Sequence, residues 1–291
     1  MKVLFVKSRV QGSAIMRGDE ICNFLKCLGV EAYSLYRNQI DISSWINDTI
    51  IIYVKHFDIN FYEKLSKYNC FHVYDLVDII QTTKNIEWFQ KTFSLCKMDY
   101  LIYPSEYAKN SLHHLVHAES NNKIIYHHTN LSYHPYSPKK NKTFYFGATS
   151  EISSFVKKNI DECYDFPLFE NITCQQLSKA VTGAMRCAYH INIRNALYKT
   201  SAKIAQAASV KSNIIISKKA GCVELLGTDY PYLCDNTQNS ILTIKKKAIE
   251  TFKSKEWDIG LNKMQELKEK LSLQGIVAEY KNLIDKLKGN L

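Results

Sequence analysis

Glycine and proline are scarce in this chain, ten and five among 291 residues. So few glycines exclude a collagen-like repeat. No G-x-G-x-x-G string and no Walker lysine motif occurs either, which removes the dinucleotide fingerprint and the P-loop. The nine cysteines never fall at C-x-x-C spacing, so neither a zinc site nor a redox dithiol is expected. An odd number of thiols scattered through apolar surroundings fits a reducing compartment. D-x-D is absent, and His113 and His117 lack the glutamate of an H-E-x-x-H helix, so they read as a helix surface. No apolar run approaches the ~20 residues that span a bilayer. The opening MKVLFVKSRV reads as a strand, without the apolar core and cleavage site of a signal peptide. The expectation is a cytoplasmic protein with no metal and no cofactor, able to sit at the inner face of the membrane.

Hydrophobic residues make up 46% of the chain and charged residues 23%, ordinary values for a globular protein. The net charge of +10 is spread over both halves. It favours phosphate-bearing partners without choosing among nucleotide, anionic lipid, polyanionic glycan and nucleic acid. Stacked aromatic and basic clusters typical of strand grooves are not evident, which disfavours nucleic acid.

In the first half, short apolar runs alternate with stretches of helical period. Lys2–Val6, Glu31–Tyr36, Thr49–Val54, Cys70–Tyr74, Tyr100–Tyr103 and Lys123–His127 read as strands, and Asp19–Leu28, Phe61–Tyr68, Ile86–Ser94 and Glu106–Leu115 as helices. Strands that are continuous apolar runs belong to a parallel sheet covered on both faces. Asn130–Lys142 holds two of the five prolines and reads as a linker. The pattern then restarts, with strands at Thr143–Phe146, up to Ile193, at Asn213–Ser217 and at Tyr232–Cys234. Helices are expected at Ser153–Asn159, Ser201–Ser209 and Ala220–Leu226, and most of the chain from Asn239 onward. The expected fold class is α/β, two doubly wound Rossmann-like domains facing a cleft, spanning 1–135 and 143–291.

The densest chemistry lies in Tyr189–Gly227. A strand ends near Ile193, a loop carries Arg194 and Lys199, and Thr200 or Ser201 can cap the helix that follows. Free helix-start N–H groups, a hydroxyl cap and two cations form an anion site that suits a pyrophosphate. In the loop after the first strand, Gly12 and Gly18 permit close backbone approach, and Arg9 and Arg17 supply charge. Asp75 and Asp78 follow the fourth strand, where α/β ligands bind. Structural roles stay open for each: solvated loop charges, an ordinary cap, an ordinary βα turn.

The string from Tyr198 to Glu224 resembles the donor-site segment of GT-B glycosyltransferases, distantly that of glycosyltransferase family 4. Tyr198-Lys199-Thr200-Ser201-Ala202 looks like the loop and helix start. Lys203-Ile204-Ala205-Gln206-Ala207 is similar to K-x-x-E-A, Asn213–Ser217 to the following strand, and Gly221-Cys222-Val223-Glu224 to G-G-x-x-E. Asp99–Ser105 with Tyr107-Ala108-Lys109 resembles a strand and helix late in the N-terminal domain, and Phe144-Tyr145-Phe146-Gly147 the first strand of the C-terminal one. The two glutamates of the family pattern, eight positions apart, are replaced here by Tyr198 and Gln206.

The resemblance implies a metal-independent glycosyltransferase in polysaccharide biosynthesis, with an acceptor-side domain at 1–135 and a nucleotide-sugar-binding domain at 143–291 that includes the C-terminal helices. It implies donor contacts from Arg194, Lys199, Thr200, Ser201, Lys203, Gln206, Glu224, His190 and Gly147. Gly12, Ser13 and Arg17 become cleft candidates on the acceptor side. Asp75 or Asp78, with His56 in reserve, would be the base of an inverting transfer. Expected partners are a nucleotide-sugar donor and a glycan or lipid-linked acceptor, with peripheral membrane association. The competing readings are a GT-B enzyme that glycosylates nucleic acid and a non-catalytic two-domain binder of a small ligand.

Overall fold

The computed structural model describes residues 1–8, 14–77, 83–129, 139–147, 152–165, 184–185, 187–193 and 202–289. The chain forms two units. One holds Met1–Tyr126 and the C-terminal residues from Leu273, and the other the described residues between His127 and Ser272.

In the first unit β1 (Lys2–Lys7) leads through a π-helical turn at Ile15–Glu20 into α1 (Ile21–Cys27). There follow β2 (Ala32–Tyr36), β3 (Asn47–Val54), α2 (Ile59–Leu65), β4 (Asn69–Asp75), α3 (Thr83–Phe93), β5 (Tyr100–Tyr103), α4 (Glu106–Leu112) and β6 (Asn121–Ile124). All six strands are parallel, in the order β2-β1-β3-β4-β5-β6. Successive side chains of a strand point to opposite faces, so one apolar run feeds two cores. Val3, Phe5, Ile50 and Ile52 pack with Ile21 and Leu25 of α1 on one side. Leu4, Ile51, Tyr53 and Tyr74 pack with Phe61, Phe89 and Phe93 on the other. Asp58 and Ser105 cap α2 and α4 by accepting from Phe61 N (2.9 Å) and Ala108 N (3.0 Å).

The second unit contains β7 (Lys140–Gly147), α5 (Ser154–Lys158), β8 (Glu162–Asp165), β9 (Cys187–Asn192), α6 (Ala202–Ser209), β10 (Asn213–Ser217), α7 (Ala220–Leu226), β11 (Leu233–Cys234), α8 (Gln238–Glu250) and α9 (Lys255–Lys270). Its five strands are again parallel, in the order β11-β10-β9-β7-β8. The edge strand β8 has no counterpart in the sequence reading, and β7 begins inside the expected linker.

The last helix, α10 (Leu273–Lys288), corrects the expected boundaries. It belongs to the first unit, although the sequence reading gave it to the second domain. Ile276, Val277, Tyr280, Leu283, Ile284 and Leu287 bury one face of α10 in the core that contains Val3, Phe5 and Ile21. Lys123 of β6 pairs with Glu279 at 2.5 Å.

Candidate functional site

Both sheets share one winding rule. Taking each unit's strands in chain order, the order runs 2-1-3-4-5, with a sixth strand in the first unit. The connections diverge between the first and third strands. Ligands of open α/β sheets bind at that switch point, outside the carboxyl ends of the strands.

In the first unit the switch point lies between β1 and β3, and a cavity of about 210 Å³ opens there. Its lining includes Ser8 after β1, Tyr53 and His56 at the end of β3, and Phe57, Asp58 and Phe61 at the start of α2. The backbone at this edge is constrained. Lys55 sits at φ 65°, and His56 N donates back to Val54 O at 2.7 Å. The neighbouring strand holds this turn: Lys55 N donates to Asp75 O and the Tyr74 hydroxyl to Lys55 O, both at 2.8 Å. Just beyond β4, Val77 adopts φ 54°, rare for a β-branched residue and typical of positions held by their surroundings. Asp58 pairs with Arg37, which follows β2 and also lines the cavity. Phe57 is half-buried, its ring 5.0 Å from Tyr53 and 4.9 Å from Phe93.

Two expected site residues of this unit form something else. Arg17 and Asp75 are both fully buried, and Arg17 Nε lies 3.0 Å from Asp75 Oδ2. The guanidinium also donates to Tyr126 O at 3.0 Å and Ile125 O at 2.8 Å. The hydroxyl of Tyr280, from α10, donates to the same aspartate. Burial raises the Tyr280 hydroxyl well above its ordinary range, so it stays a donor. Asp75 is therefore a sealed counter-ion and not an acceptor base, and Arg17 is a core residue and not a cleft residue. Gly18 does permit a close approach, but by protein: a Cβ there would lie 3.0 Å from the Lys7 Cδ. Lys7, 4% exposed, pairs with Asp19. Gly12, Ser13 and Asp78 lie outside the described residues.

In the second unit the switch point lies between β7 and β9. Gly147 closes β7 at φ 142°, in the region that favours glycine. A Cβ there would stand 3.0 Å from the Tyr145 hydroxyl and 3.4 Å from Lys203 Nζ. Lys203 comes from the first turn of α6, half-buried, with Nζ 5.6 Å from the Tyr145 ring centre. Gly147 and Lys203, 56 positions apart, are thus brought together at one strand end. Gln206, one turn on, is half-buried, and its Oε1 is buried with no hydrogen-bond partner among the described residues. Glu224 is half-buried on α7.

His190 does not stack on a ligand. It is 2% exposed inside β9, with Nε2 3.2 Å from Ala184 O and its ring 5.6 Å from Phe144. Burial lowers its pKa to about 3, so it is a neutral core histidine. Arg194, Lys199, Thr200 and Ser201 lie outside the described residues. Sequence reasoning missed a second cavity, about 450 Å³, along the edge strand β11. There Lys247 donates to Pro231 O at 3.0 Å and pairs with Glu256 at 2.6 Å. Among the described residues no group of three or more His, Cys, Asp and Glu is placed to hold a metal, and no helix is long and apolar enough to cross a membrane.

Two parallel, doubly wound units of this kind define the GT-B fold, and solved structures agree along the whole chain. Sucrose-phosphate synthase from Thermosynechococcus elongatus matches with a TM-score of 0.72 at 9% identity, covering 100% of both chains. A glycosyltransferase from Rickettsia africae matches at 0.70 and 11%, over 100% of this chain and 99% of its own. Anabaena HepE in complex with UDP matches at 0.67 and 11%, over 98% and 100%. No protein-family model matches the chain, and no curated protein matches it in sequence.

Proposed function

We propose that this protein is a glycosyltransferase that moves a sugar from a nucleotide-sugar donor to a glycan or its lipid-linked precursor. The observation that carries the reading is the pairing of Gly147 with Lys203 at the switch point of the second sheet, in a fold shared with UDP-bound HepE. A glycine at a strand end admits a ligand close to the backbone. An ammonium beside it opposes the charge that gathers on a diphosphate as the glycosidic bond breaks. Arg194, Lys199, Thr200 and Ser201 are assigned to the same diphosphate. Gln206 and Glu224 are assigned to ribose or sugar hydroxyls, with the buried Gln206 Oε1 as an acceptor. The leaving group is met by cationic side chains rather than a metal.

The acceptor is assigned to the cavity of the first unit. His56 lines it and takes the proton of the attacking hydroxyl if configuration inverts; Asp78 is the other candidate. We place the enzyme in the cytoplasm, acting in polysaccharide synthesis at the inner face of the membrane.

The test is a thermal-shift panel of UDP, GDP, ADP, dTDP and CMP on wild type and on Lys203→Ala, Arg194→Ala and Lys199→Ala. The reading expects one nucleotide to stabilise the wild type by mass action and each variant to bind it about tenfold or more weakly, about 1.4 kcal/mol. No stabilisation by any nucleotide would remove the donor site.

A further inference from the structure

We infer that the cavity of the first unit is a subsite for one uncharged pyranose ring, the terminal sugar of a neutral glycan acceptor. This rests on the glycosyltransferase reading and adds the class of acceptor. At about 210 Å³ the cavity is smaller than the roughly 300–1,000 Å³ of a drug-sized site, so it takes a fragment of single-ring size.

Its lining combines the aromatic rings of Tyr53, Phe57 and Phe61 with polar side chains. Tyr53 is 1% exposed, and its hydroxyl is engaged by His72 Nδ1 at 3.0 Å, so the ring is what it contributes to the wall. Phe57 and Phe61 continue that wall. The negative face of an aromatic ring attracts weakly positive C–H groups, and the axial C–H face of a pyranose supplies them. The same lining includes Ser8, His56 and the Arg37–Asp58 pair. That pair presents N–H donors and carboxylate acceptors together, the combination that a ring of hydroxyl groups satisfies.

Charge decides the class. The protein carries +10, yet Arg37, which lines the cavity, is already matched. Arg37 pairs with Asp58 and Lys7 with Asp19. A phosphate or carboxylate on the acceptor would have to displace an aspartate or sit beside one. A neutral sugar does neither.

Saturation-transfer NMR and calorimetry on the full chain test this, with methyl glycosides of glucose, galactose, mannose and N-acetylglucosamine as probes. Glucuronate, glucose 6-phosphate and uridine are the competitors. At least one methyl glycoside should bind, with its ring C–H protons most strongly saturated. Phe57→Leu, which keeps apolar volume but removes the aromatic face, should weaken it about three- to tenfold. Arg37→Gln should weaken it as well. Tighter binding of glucuronate, glucose 6-phosphate or uridine overturns the inference, as does glycoside binding that ignores both substitutions. UDP stabilisation, measured in parallel, separates the two readings. Nucleotide binding without glycoside binding sinks this inference alone. Glycoside binding without any nucleotide binding sinks the glycosyltransferase and leaves a sugar-binding protein.

Discussion

The two sheets repeat one strand order but treat charge at their carboxyl edges differently. In the first unit Lys7 pairs with Asp19, Arg17 with Asp75 and Arg37 with Asp58. In the second, Lys203 stands against a glycine and over a tyrosine ring. The first edge thus carries ion pairs within the protein, and at the second a lysine side chain stands beside the glycine that ends its strand. Positive charge in a sequence therefore does not locate anion sites.

The largest expected effect tests the first edge. Arg17→Met leaves Asp75 buried without its partner and should destabilise the first unit by about 3–5 kcal/mol in denaturant unfolding. Adding Asp75→Leu should recover much of that loss, because the uncompensated charge is gone. A single variant as stable as wild type would mean that the pair is not sealed.

Next in size is an acid sensitivity that the two units share. Burial lowers His72 in the first unit to about 4, and lowers His190 in the second to about 3. In the unfolded chain both imidazoles titrate near ~6.5. Below that pH the unfolded chain binds protons that the native state refuses, so unfolding gains ground. The contribution is fully present above about pH 6.5 and is lost as pH falls, at up to about 1.4 kcal/mol per pH unit for each histidine. By pH 5 this is about 2 kcal/mol for each. Thermal midpoints measured from pH 7 to 5 should fall less steeply in His72→Gln and in His190→Gln than in wild type. Unchanged slopes would place protonatable imidazoles in both cores.

Much of the fold was legible where local pattern suffices. Tyr100–Tyr103, Asn213–Ser217 and Ala220–Leu226 are found where the residues predict them, because each is a short apolar run or a helical period with clear ends. β8 was not legible: Glu162, Cys163, Tyr164 and Asp165 alternate between half-buried and exposed on an edge, so no apolar run marks them. The apolar face of α10 announces burial but not against which sheet. For the candidate site residues, what the pattern gave was their place along the chain. Gly147 ends β7 and His56 follows β3, where the residue pattern puts strand ends, and Lys203 lies in the first turn of α6, where the pattern puts a helix. Asp75 was misread because its partners are 58 and 205 positions away, and nothing local reveals such pairs.

The contrast between the edges is sharpened by Lys203→Ala. Nucleotide affinity should fall about tenfold or more, about 1.4 kcal/mol, while the thermal midpoint without ligand stays near wild type, since Lys203 is half-buried. Arg37→Gln, at the other edge, should leave nucleotide affinity unchanged. Equal losses in both variants would erase the distinction between the edges.

The smallest expected effect comes from the glycine beside that lysine. Gly147→Ala must hold φ 142° with a Cβ 3.0 Å from the Tyr145 hydroxyl and 3.4 Å from Lys203 Nζ. Positive φ disfavours alanine by about 1 kcal/mol or more. The crowding falls on Lys203, the group assigned to the diphosphate, so the variant should lose nucleotide affinity beyond what its stability loss explains. Gly29→Ala provides the control. Gly29 also has positive φ, at 78°, but a Cβ there meets nothing within 4 Å. It should lose comparable stability and keep full nucleotide affinity. If both variants bind nucleotide like wild type, Gly147 serves the strand end and not the ligand.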